Sequence, residues 1–223
     1  MKNNRVILVT GGSRGIGKSI VESLIKSGAT VLAPSSDELD LANLQSIHEY
    51  CSTKITRLDG IVNNAGINII EKLDEISEEN LAKVFTLNFY SNIRLIKLLV
   101  KHLRNSEAPR VVNISSIWSF LAKEGRLVYA ASKAAINSMT RSLALELAEH
   151  KILINSVAPG YVNTEMTFKN NSKKQLEDIK KLIPLEYLCS PEEIANVVHF
   201  LLSPECSYMT GQTIVIDGGY SLK

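Results

Sequence analysis

The sequence has few cysteines, few histidines and almost no net charge. Its three cysteines, Cys51, Cys189 and Cys206, stand far apart without a C-x-x-C pair, which argues against a disulfide framework or a zinc knot. The four histidines show no close pairing, so we expect no metal site. Lys and Arg number 25 against 23 Asp and Glu, a net charge of +2. That balance gives no reason to expect binding to nucleic acid.

Long apolar stretches are also missing. No run approaches the ~20 apolar residues that a membrane-spanning helix needs. The first residues, MKNNRVILVTGG, lead almost directly into a strand-like run and leave no room for a signal peptide. A length of 223 residues fits one domain with a full core. We therefore expect a single domain over residues 1–223, cytoplasmic and not membrane-bound.

Short apolar runs alternate with longer helical patterns along the whole chain. The runs are typical of parallel strands covered on both faces, and they span residues 6–10, 30–34, 60–63, 110–115, 153–158 and 213–216. Helical patterns lie near residues 16–27, 44–51, 78–103, 128–149 and 191–202. This alternation predicts an α/β fold with a doubly wound, Rossmann-like parallel sheet and helices on both faces.

The connection after the second strand is unusually short. Only about six residues separate residue 34 from Asp40, whereas a parallel crossover needs a dozen or more. No extra strand fits there, so we predict six strands. A later stretch, residues 164–189, is polar and rich in lysine. Its position favours a lid over a site, with a solvated helical excursion as the alternative.

The first predicted strand runs into a glycine-rich turn, TGGSRGIG, in which Gly11, Gly15 and Gly17 open the first helix. Glycine permits positive φ and a close approach of backbone N–H groups to a ligand. A helix N-terminus at that point favours a pyrophosphate. The spacing G-x-x-x-G-x-G differs from the G-x-G-x-x-G fingerprint. The strand–turn–helix setting nevertheless favours nucleotide binding over a plain tight turn.

Charges around this turn predict NADPH as the preferred cofactor, with NAD as the alternative. A site that prefers NAD commonly places an acid after the second strand to bind the ribose 2′-OH. Here that strand leads to Ser35 with no acid at its tip, while Arg14 in the turn can meet a 2′-phosphate. Asp37 and Glu38 follow closely enough to keep NAD open.

Tyr129 and Lys133 form a Y-x-x-x-K pair in VYAASKAAI. Positions four apart share one face of a helix, so the lysine can lower the pKa of the tyrosine and let it act as a general acid or base. Moving a phenol from ~10 towards ~7 requires about 4 kcal/mol, which one positive charge at ~4 Å supplies. Ser116 ends a predicted strand at the sheet edge where such folds bind ligands.

Several short motifs occur in a fixed order along the chain. They are Gly11, Gly15 and Gly17; Asn63-Asn64-Ala65-Gly66; Asn88; Ser116; Tyr129 and Lys133; and Pro159-Gly160. Together they closely resemble the short-chain dehydrogenase/reductase family over essentially the whole chain. The nearest likeness is to its one-domain members, which include 3-oxoacyl-[acyl-carrier-protein] reductases.

The resemblance implies four catalytic residues. Tyr129 would donate the proton to a carbonyl oxygen in reduction and accept it in oxidation, and Ser116 would hydrogen-bond that oxygen. Lys133 would bind the nicotinamide ribose and lower the pKa of the tyrosine. Asn88 would support a water that links the lysine to solvent.

The resemblance also implies a set of cofactor-binding residues. Asn63, Ala65 and Gly66 would line the adenosine side with Asp40 and Leu41 near the adenine, and Val162 and Thr164 would anchor the carboxamide. The full predicted set is Gly11, Ser13, Arg14, Gly15, Ile16, Gly17, Ser35, Asp40, Leu41, Asn63, Ala65, Gly66, Tyr129, Lys133, Pro159, Gly160, Val162 and Thr164.

Departures from the family pattern leave the substrate open. The segment before Asp40 is short, Ser119 replaces a common glycine, and 184–187 lacks the usual glycine-arginine. The first hypothesis is an NADPH-dependent reductase of a 3-oxoacyl thioester, carried on a protein or free. The alternatives are an oxidoreductase of a sugar, polyol or secondary metabolite, and a non-catalytic NADPH-binding regulator.

One predicted helix carries a basic stripe of Arg94, Lys97, Lys101 and Arg104. An acidic carrier protein can dock on such a stripe, although a solvated face is the commoner interpretation. The opposite positions, which include Ile93, Ile96, Leu99 and Leu103, supply an apolar side. The family resemblance implies a homo-oligomer, a tetramer or a dimer, with the long helices and the C-terminal GQTIVIDGGY segment in its interfaces.

Overall fold

A six-stranded parallel sheet forms the centre of the computed structural model, which describes residues 4–222. The strands are β1 Val6–Val9, β2 Thr30–Leu32, β3 Gly60–Asn63, β4 Arg110–Ile114, β5 Leu153–Pro159 and β6 Thr213–Ile216. They pair in the order β2-β1-β3-β4-β5-β6. The predicted α/β fold and its six strands are confirmed.

Helices cover both faces of the sheet. They are α1 Gly15–Lys26, α2 Leu44–Thr53, α3 Glu78–Phe85, α4 Ser91–Leu103, α5 Leu127–Glu146, α6 Glu165–Lys169, α7 Lys173–Leu182 and α8 Pro191–Leu202. Among these described residues no helix is long and apolar enough to cross a membrane.

Successive residues of each strand point to opposite faces, and this alternation divides the core in two. Leu8 of β1 packs into a cluster with residues of α2, α4 and α5. Ile7 and Val9, its neighbours in the same strand, pack with residues of α1 and α8. All three strand residues are fully buried. The continuous apolar runs in the sequence are explained by this double coverage.

The second strand is shorter than predicted. It ends at Leu32 rather than at residue 34, because Pro34 has no N–H to donate to the ladder. From there the chain passes through α2 and crosses β1 to form β3 on its other side.

The long predicted helix over residues 78–103 is interrupted. A π-helical turn, Thr86–Tyr90, separates α3 from α4. Such turns occur mostly as single insertions within α-helices and often at functional sites. This one contains Asn88, whose side chain is fully buried. Such a turn adds only one residue to the helical period, too small a shift for the apolar pattern alone to reveal.

The polar segment after β5 folds into the two short helices α6 and α7. Leu176 and Ile179 on α7 are buried against Tyr161, and Trp118 and Tyr220 pack beside them. The segment is therefore anchored by an apolar side and is not a fully solvated excursion. It lies over the residues that follow β4 and β5.

Candidate active site

The residues predicted to bind a ligand follow the carboxyl ends of the central strands. Gly11 follows β1, Asn64 follows β3, Ser116 follows β4 and Gly160 follows β5. In open parallel sheets this edge is where ligands bind. The topology thus brings four segments, distant in sequence, to one cleft.

The glycine-rich turn has no room for side chains at key positions. Gly11 and Gly15 have φ of +65° and +53°. A Cβ on Gly17 would lie 2.1 Å from the Gly11 carbonyl oxygen and 2.5 Å from Asn64 Nδ2, well inside contact distance. Glycine at 17 therefore lets the first turn of α1 pack closely on the end of β1.

Asn64, which the sequence analysis did not place in the site, holds this turn in position. Its Nδ2 donates to the carbonyls of Thr10 and Gly11 at 2.9 and 3.0 Å. The Thr10 hydroxyl accepts from the backbone N–H groups of Asn64 and Ala65, both at 3.1 Å. These bonds connect the ends of β1 and β3. The NNAG motif was visible in the sequence, but its partner Thr10 carries no such signal.

Asn63 is placed differently from its predicted role beside the adenosine. Its side chain is buried, and Nδ2 donates to Asn113 Oδ1 at 2.8 Å. Asn113 Nδ2 in turn donates to Thr140 Oγ1 at 2.9 Å. The Asn63 amide therefore ties β3 to β4 and α5, so its side chain acts in the sheet while Ala65 and Gly66 continue towards the cleft.

The segment after β5 reaches back to the glycine turn. The Gly160 N–H donates to the carbonyl oxygen of Ile216 at 2.9 Å. A Cβ on Gly160 would lie 2.7 Å from Asp217 Cβ. Val162 is buried and bridges to Cys189. Thr164 Cγ2 would lie 3.3 Å from a Cβ on Gly15. Thr164 thus lies beside the glycine-rich turn.

Residues around the end of β2 are largely occupied with one another. Ser35 donates from its N–H and its hydroxyl to Glu38 Oε2 at 2.9 and 3.1 Å, and these bonds lower the pKa of the Glu38 carboxyl. Asp40 Oδ1 accepts from the Ala42 N–H at 2.9 Å. Leu41 is half-buried against the core. The expectation that no acid stands at the tip of β2 is therefore wrong: the Glu38 carboxylate folds back onto Ser35.

Arg14 faces the other side of the turn. Its guanidinium lies 3.4 Å from Glu165 Oε2, and both side chains are about four-fifths exposed. Screening by solvent keeps such a pair weak, so Arg14 is available to an incoming phosphate. Ser13, also in the predicted set, is exposed in the same turn.

The residues of this half of the cleft fit a dinucleotide. The helix α1 begins at Gly15 without a side-chain cap, which leaves its first N–H groups for a phosphate. Gly11, Gly17 and Gly66 leave the floor of the cleft without side chains. A Cβ on each of them would lie 3.0 Å or less from a neighbouring atom. The N–H groups near Gly15 and Ile16 would hold the pyrophosphate.

Tyr129, Lys133 and Ser116 come together at the inner end of the cleft. Lys133 Nζ lies 5.7 Å from the centroid of the Tyr129 ring, one turn along α5. It donates to the Ile114 carbonyl at 2.7 Å. Ser116 lies just beyond the same strand, and its hydroxyl is near enough to the Tyr129 phenol to favour the phenolate. All three residues are buried.

The pKa of Tyr129 differs from the sequence prediction. We expected the Lys133 ammonium to lower it. In the protein alone the pKa is raised, because burial disfavours the phenolate more than the hydrogen bond with Ser116 and the charge of Arg126 favour it. Lys133 itself responds to burial, which lowers its pKa to about 8. The prediction treated the pair as charges in an ordinary medium and missed the cost of desolvating both groups.

Asn88 lies close to this pair but is fully engaged. Its Oδ1 accepts from the Ile67 N–H at 2.9 Å, and its Nδ2 donates to the Ile67 carbonyl and to Ser132 Oγ, both at 3.0 Å. A Cβ on Gly66 would lie 3.0 Å from Asn88 Oδ1 and 3.6 Å from Lys133 Nζ. Asn88 therefore fixes the loop after Gly66 against α5, beside the ammonium.

Ser119, the residue that departs from the family pattern, supports Ser116. Its hydroxyl donates to the Ser116 carbonyl at 2.6 Å and accepts from Asn137 Nδ2 at 2.7 Å. Ser116 Oγ also accepts from the Trp118 N–H at 3.2 Å. The loop after β4 is thereby held to α5, so Ser116 has a defined position.

Comparisons with known proteins agree with this geometry. The profile described as Enoyl-(Acyl carrier protein) reductase matches residues 35–221, and the profile described as short chain dehydrogenase matches residues 5–49. A 3-oxoacyl-[acyl-carrier-protein] reductase from Rickettsia felis is 38% identical over 229 residues, 95% of each chain.

Two solved structures superpose closely. An aldohexose dehydrogenase from Thermoplasma acidophilum gives a TM-score of 0.94 at 26% identity, over 99% of this chain and 95% of the other. A protein from Beutenbergia cavernae, described as an NAD(P) dependent gluconate 5-dehydrogenase with NADP bound at low occupancy, gives a TM-score of 0.93 at 31% identity. The superposition covers 100% of this chain and 98% of the other.

The fold and the glycine-lined cleft are those of a dinucleotide-dependent enzyme. The chain belongs to the short-chain dehydrogenase/reductase family. It is an NAD(P)-dependent oxidoreductase that acts between a CH–OH group and a carbonyl.

The raised pKa of Tyr129 gives a first prediction. Because burial opposes ionisation, the phenol stays protonated until the pH exceeds its ordinary value of 10. The difference in ultraviolet absorbance between wild type and Tyr129→Phe, without cofactor, should show no phenolate at pH 9. Tyr208→Phe, which removes a fully exposed phenol, is the matched control variant. A phenolate signal from Tyr129 at or below pH 9 would contradict the assigned burial effect.

Proposed function

We propose that the protein is an NADPH-dependent carbonyl reductase whose first candidate substrate is a 3-oxoacyl thioester on a carrier protein. The observation that carries the proposal is the buried Ser116, Tyr129 and Lys133 cluster at the inner end of a glycine-lined cleft. Similarity to the 3-oxoacyl-[acyl-carrier-protein] reductase of Rickettsia felis supports the substrate class.

When bound, NADPH supplies the hydride. The protein's own residues then position and protonate the substrate. Ser116 Oγ donates a hydrogen bond to the carbonyl oxygen, and the neutral phenol of Tyr129 donates to it from the other side. As negative charge develops on that oxygen, Tyr129 transfers its proton. The raised pKa of Tyr129 keeps the phenol protonated at neutral pH, the form that reduction requires.

Lys133 stabilises the phenolate that this transfer leaves. Its ammonium is buried and stands one turn from Tyr129, and a positive charge there offsets the new negative one. The carbonyl of Ile114 fixes its direction. Asn88 holds the loop beside the ammonium. The side chains are thus set before the substrate arrives.

The carrier would dock on the basic stripe of α4. Lys97, Lys101 and Arg104 are exposed, and Arg94 lies 5.9 Å above the Tyr90 ring. Ile96, Leu99 and Leu103 on the opposite side are buried in the core, whereas Ile93 is 37% exposed. A cationic helix face of this kind attracts an acidic partner.

We also propose that the protein works as a homo-oligomer, a tetramer or a dimer, in the cytoplasm. Large apolar side chains remain exposed on α5 and on the edge strand β6, among them Leu127, Leu145 and Val215. Burial of such patches against another copy is the usual outcome. The three cysteines are free thiols, as in proteins of reducing compartments.

A second candidate substrate is a sugar or polyol. Two of the solved structures with a similar fold are described as an aldohexose dehydrogenase and as a gluconate 5-dehydrogenase. On this alternative the same three residues act in the oxidative direction, with Tyr129 accepting the proton.

The direct test is NADPH consumption with acetoacetyl thioester and with a panel of keto-sugars. Tyr129→Phe should lower turnover on the active substrate about 100- to 10,000-fold, because the proton donor is gone, and should leave NADPH binding nearly unchanged. Tyr208→Phe is the matched control and should retain activity. Full turnover by Tyr129→Phe would refute the assigned role, and tight NADPH binding without turnover of any carbonyl would favour a regulator.

Cofactor preference is tested by two single-charge changes. Arg14→Gln should lower kcat/KM with NADPH about tenfold, because a charge-assisted bond to the 2′-phosphate is lost, and should affect NADH little. Glu38→Gln removes the carboxylate at the tip of β2 and should shift preference further towards NADPH. If Arg14→Gln lowered kcat/KM equally with NADPH and with NADH, Arg14 would not be the residue that binds the 2′-phosphate.

A further inference from the structure

An arginine that no role so far uses lies three residues before Tyr129. The Arg126 side chain is 4% exposed, and both its Nε and one terminal nitrogen are buried without a hydrogen-bond acceptor. Leaving such donors unpaired is costly. The buried Arg5 differs, because its guanidinium donates to the carbonyls of Leu202, Asp59 and Ala108.

Arg126 is the N-cap residue of α5 and lies about one helical turn before Tyr129. Its positive charge acts on the phenols of both Tyr129 and Tyr161. Tyr161 makes an edge contact with Trp118, with ring centroids 6.0 Å apart, and the Trp118 N–H is bonded to Ser116 Oγ. Arg126 is thus placed close to the Ser116 and Tyr129 pair.

A second cation stands beside it. Lys123 Nζ donates to the Tyr161 hydroxyl at 2.9 Å and lies 5.6 Å from the Trp118 ring centroid. The charge of Arg126 and partial burial both lower the pKa of Lys123. Within residues 4–222 neither cation has a carboxylate oxygen within 4.0 Å. Two cations that repel each other without a counter-charge favour an anion between them.

Arg126 and Lys123 line a pocket of about 520 Å³, and three acidic residues, Glu71, Asp74 and Glu124, line it as well. Glu124 pairs with Lys72 at 3.1 Å. Glu71 accepts a hydrogen bond from Asn80. Asp74 lies in the short turn that begins after Lys72. None of them neutralises Arg126.

We propose that the substrate of this reductase carries an anionic oxygen group, a carboxylate or a phosphate, a few bonds from its carbonyl, and that Arg126, assisted by Lys123, binds that group. The inference rests on the proposed reductase activity of the same site, and it selects a carbonyl substrate with a free anionic group in place of a simple 3-oxoacyl thioester. A guanidinium presents paired N–H groups that match a carboxylate or phosphate. Binding there would supply the missing acceptors and orient the carbonyl towards Tyr129.

The test measures binding separately from turnover. Trp118 is the only tryptophan in the chain, and its position beside Lys123 makes its fluorescence a local reporter. Titrations are made with NADP⁺ present, so that no reduction occurs. Two matched probe pairs are compared: acetoacetate with methyl acetoacetate, and dihydroxyacetone phosphate with dihydroxyacetone. The pair that responds identifies carboxylate or phosphate.

Wild type should bind the anion of one pair more tightly than its neutral partner. Arg126→Gln should weaken binding of that anion about 10- to 100-fold, because a charge-assisted bond is lost, and should leave the neutral partner almost unaffected. Arg126→Lys keeps the charge and should recover part of the loss. Lys72→Gln removes an exposed charge from the same cleft and should change binding less than about fivefold.

Equal binding of anion and neutral partner by wild type in both pairs would overturn the inference without any variant. So would an Arg126→Gln effect of the same size on both members of a pair. NADPH consumption with the same probes distinguishes the two proposals. Turnover of the neutral probes with no anion preference leaves the reductase proposal standing and removes this one. Anion binding that depends on Arg126, without turnover of any carbonyl, supports the anion site and refutes the reductase proposal.

Discussion

The active site depends on one buried ammonium. Lys133 is 4% exposed and donates to the Ile114 carbonyl, and burial without an acidic partner lowers its pKa to about 8. A buried cation of this kind costs stability. The ammonium faces the phenol of Tyr129, and in the proposed mechanism this phenol gives up a proton and carries negative charge, which the buried cation offsets.

Much of the surrounding structure serves to hold that pair. The π-helical turn directs Asn88 onto the loop at Ile67, and Gly66 leaves space for Asn88 and Lys133 to approach each other. Ser119 fixes the loop that carries Ser116. These groups come from separate segments, and only the parallel sheet brings them to one edge. Positioning of this kind is the main contribution a protein makes when the cofactor performs the hydride chemistry.

The sequence was sufficient to predict the fold and the family, and the structure brings the predicted Ser116, Tyr129 and Lys133 together. Alternating apolar runs gave six strands because parallel strands are buried on both faces, and motif order led to the family, which the comparisons show. Other features were invisible because they depend on tertiary contacts. The partner of Asn64 is Thr10, and the Asn63 amide turns into the sheet. The raised pKa of Tyr129 was missed for the same reason, since desolvation is a property of the packed structure.

The most direct measurement is urea unfolding of wild type and Lys133→Met between pH 7 and 11 without cofactor. The folded pKa of Lys133 is about 8 against 10.5 for an ordinary lysine, so the unfolded chain binds more protons between these values and stability rises with pH there. The free energy of unfolding of wild type should therefore rise by about 3 kcal/mol relative to that of Lys133→Met over that interval. Both proteins keep Tyr129, so subtracting the curve of the variant removes the contribution of this tyrosine. A constant difference between the two proteins from pH 7 to 11 would contradict the account.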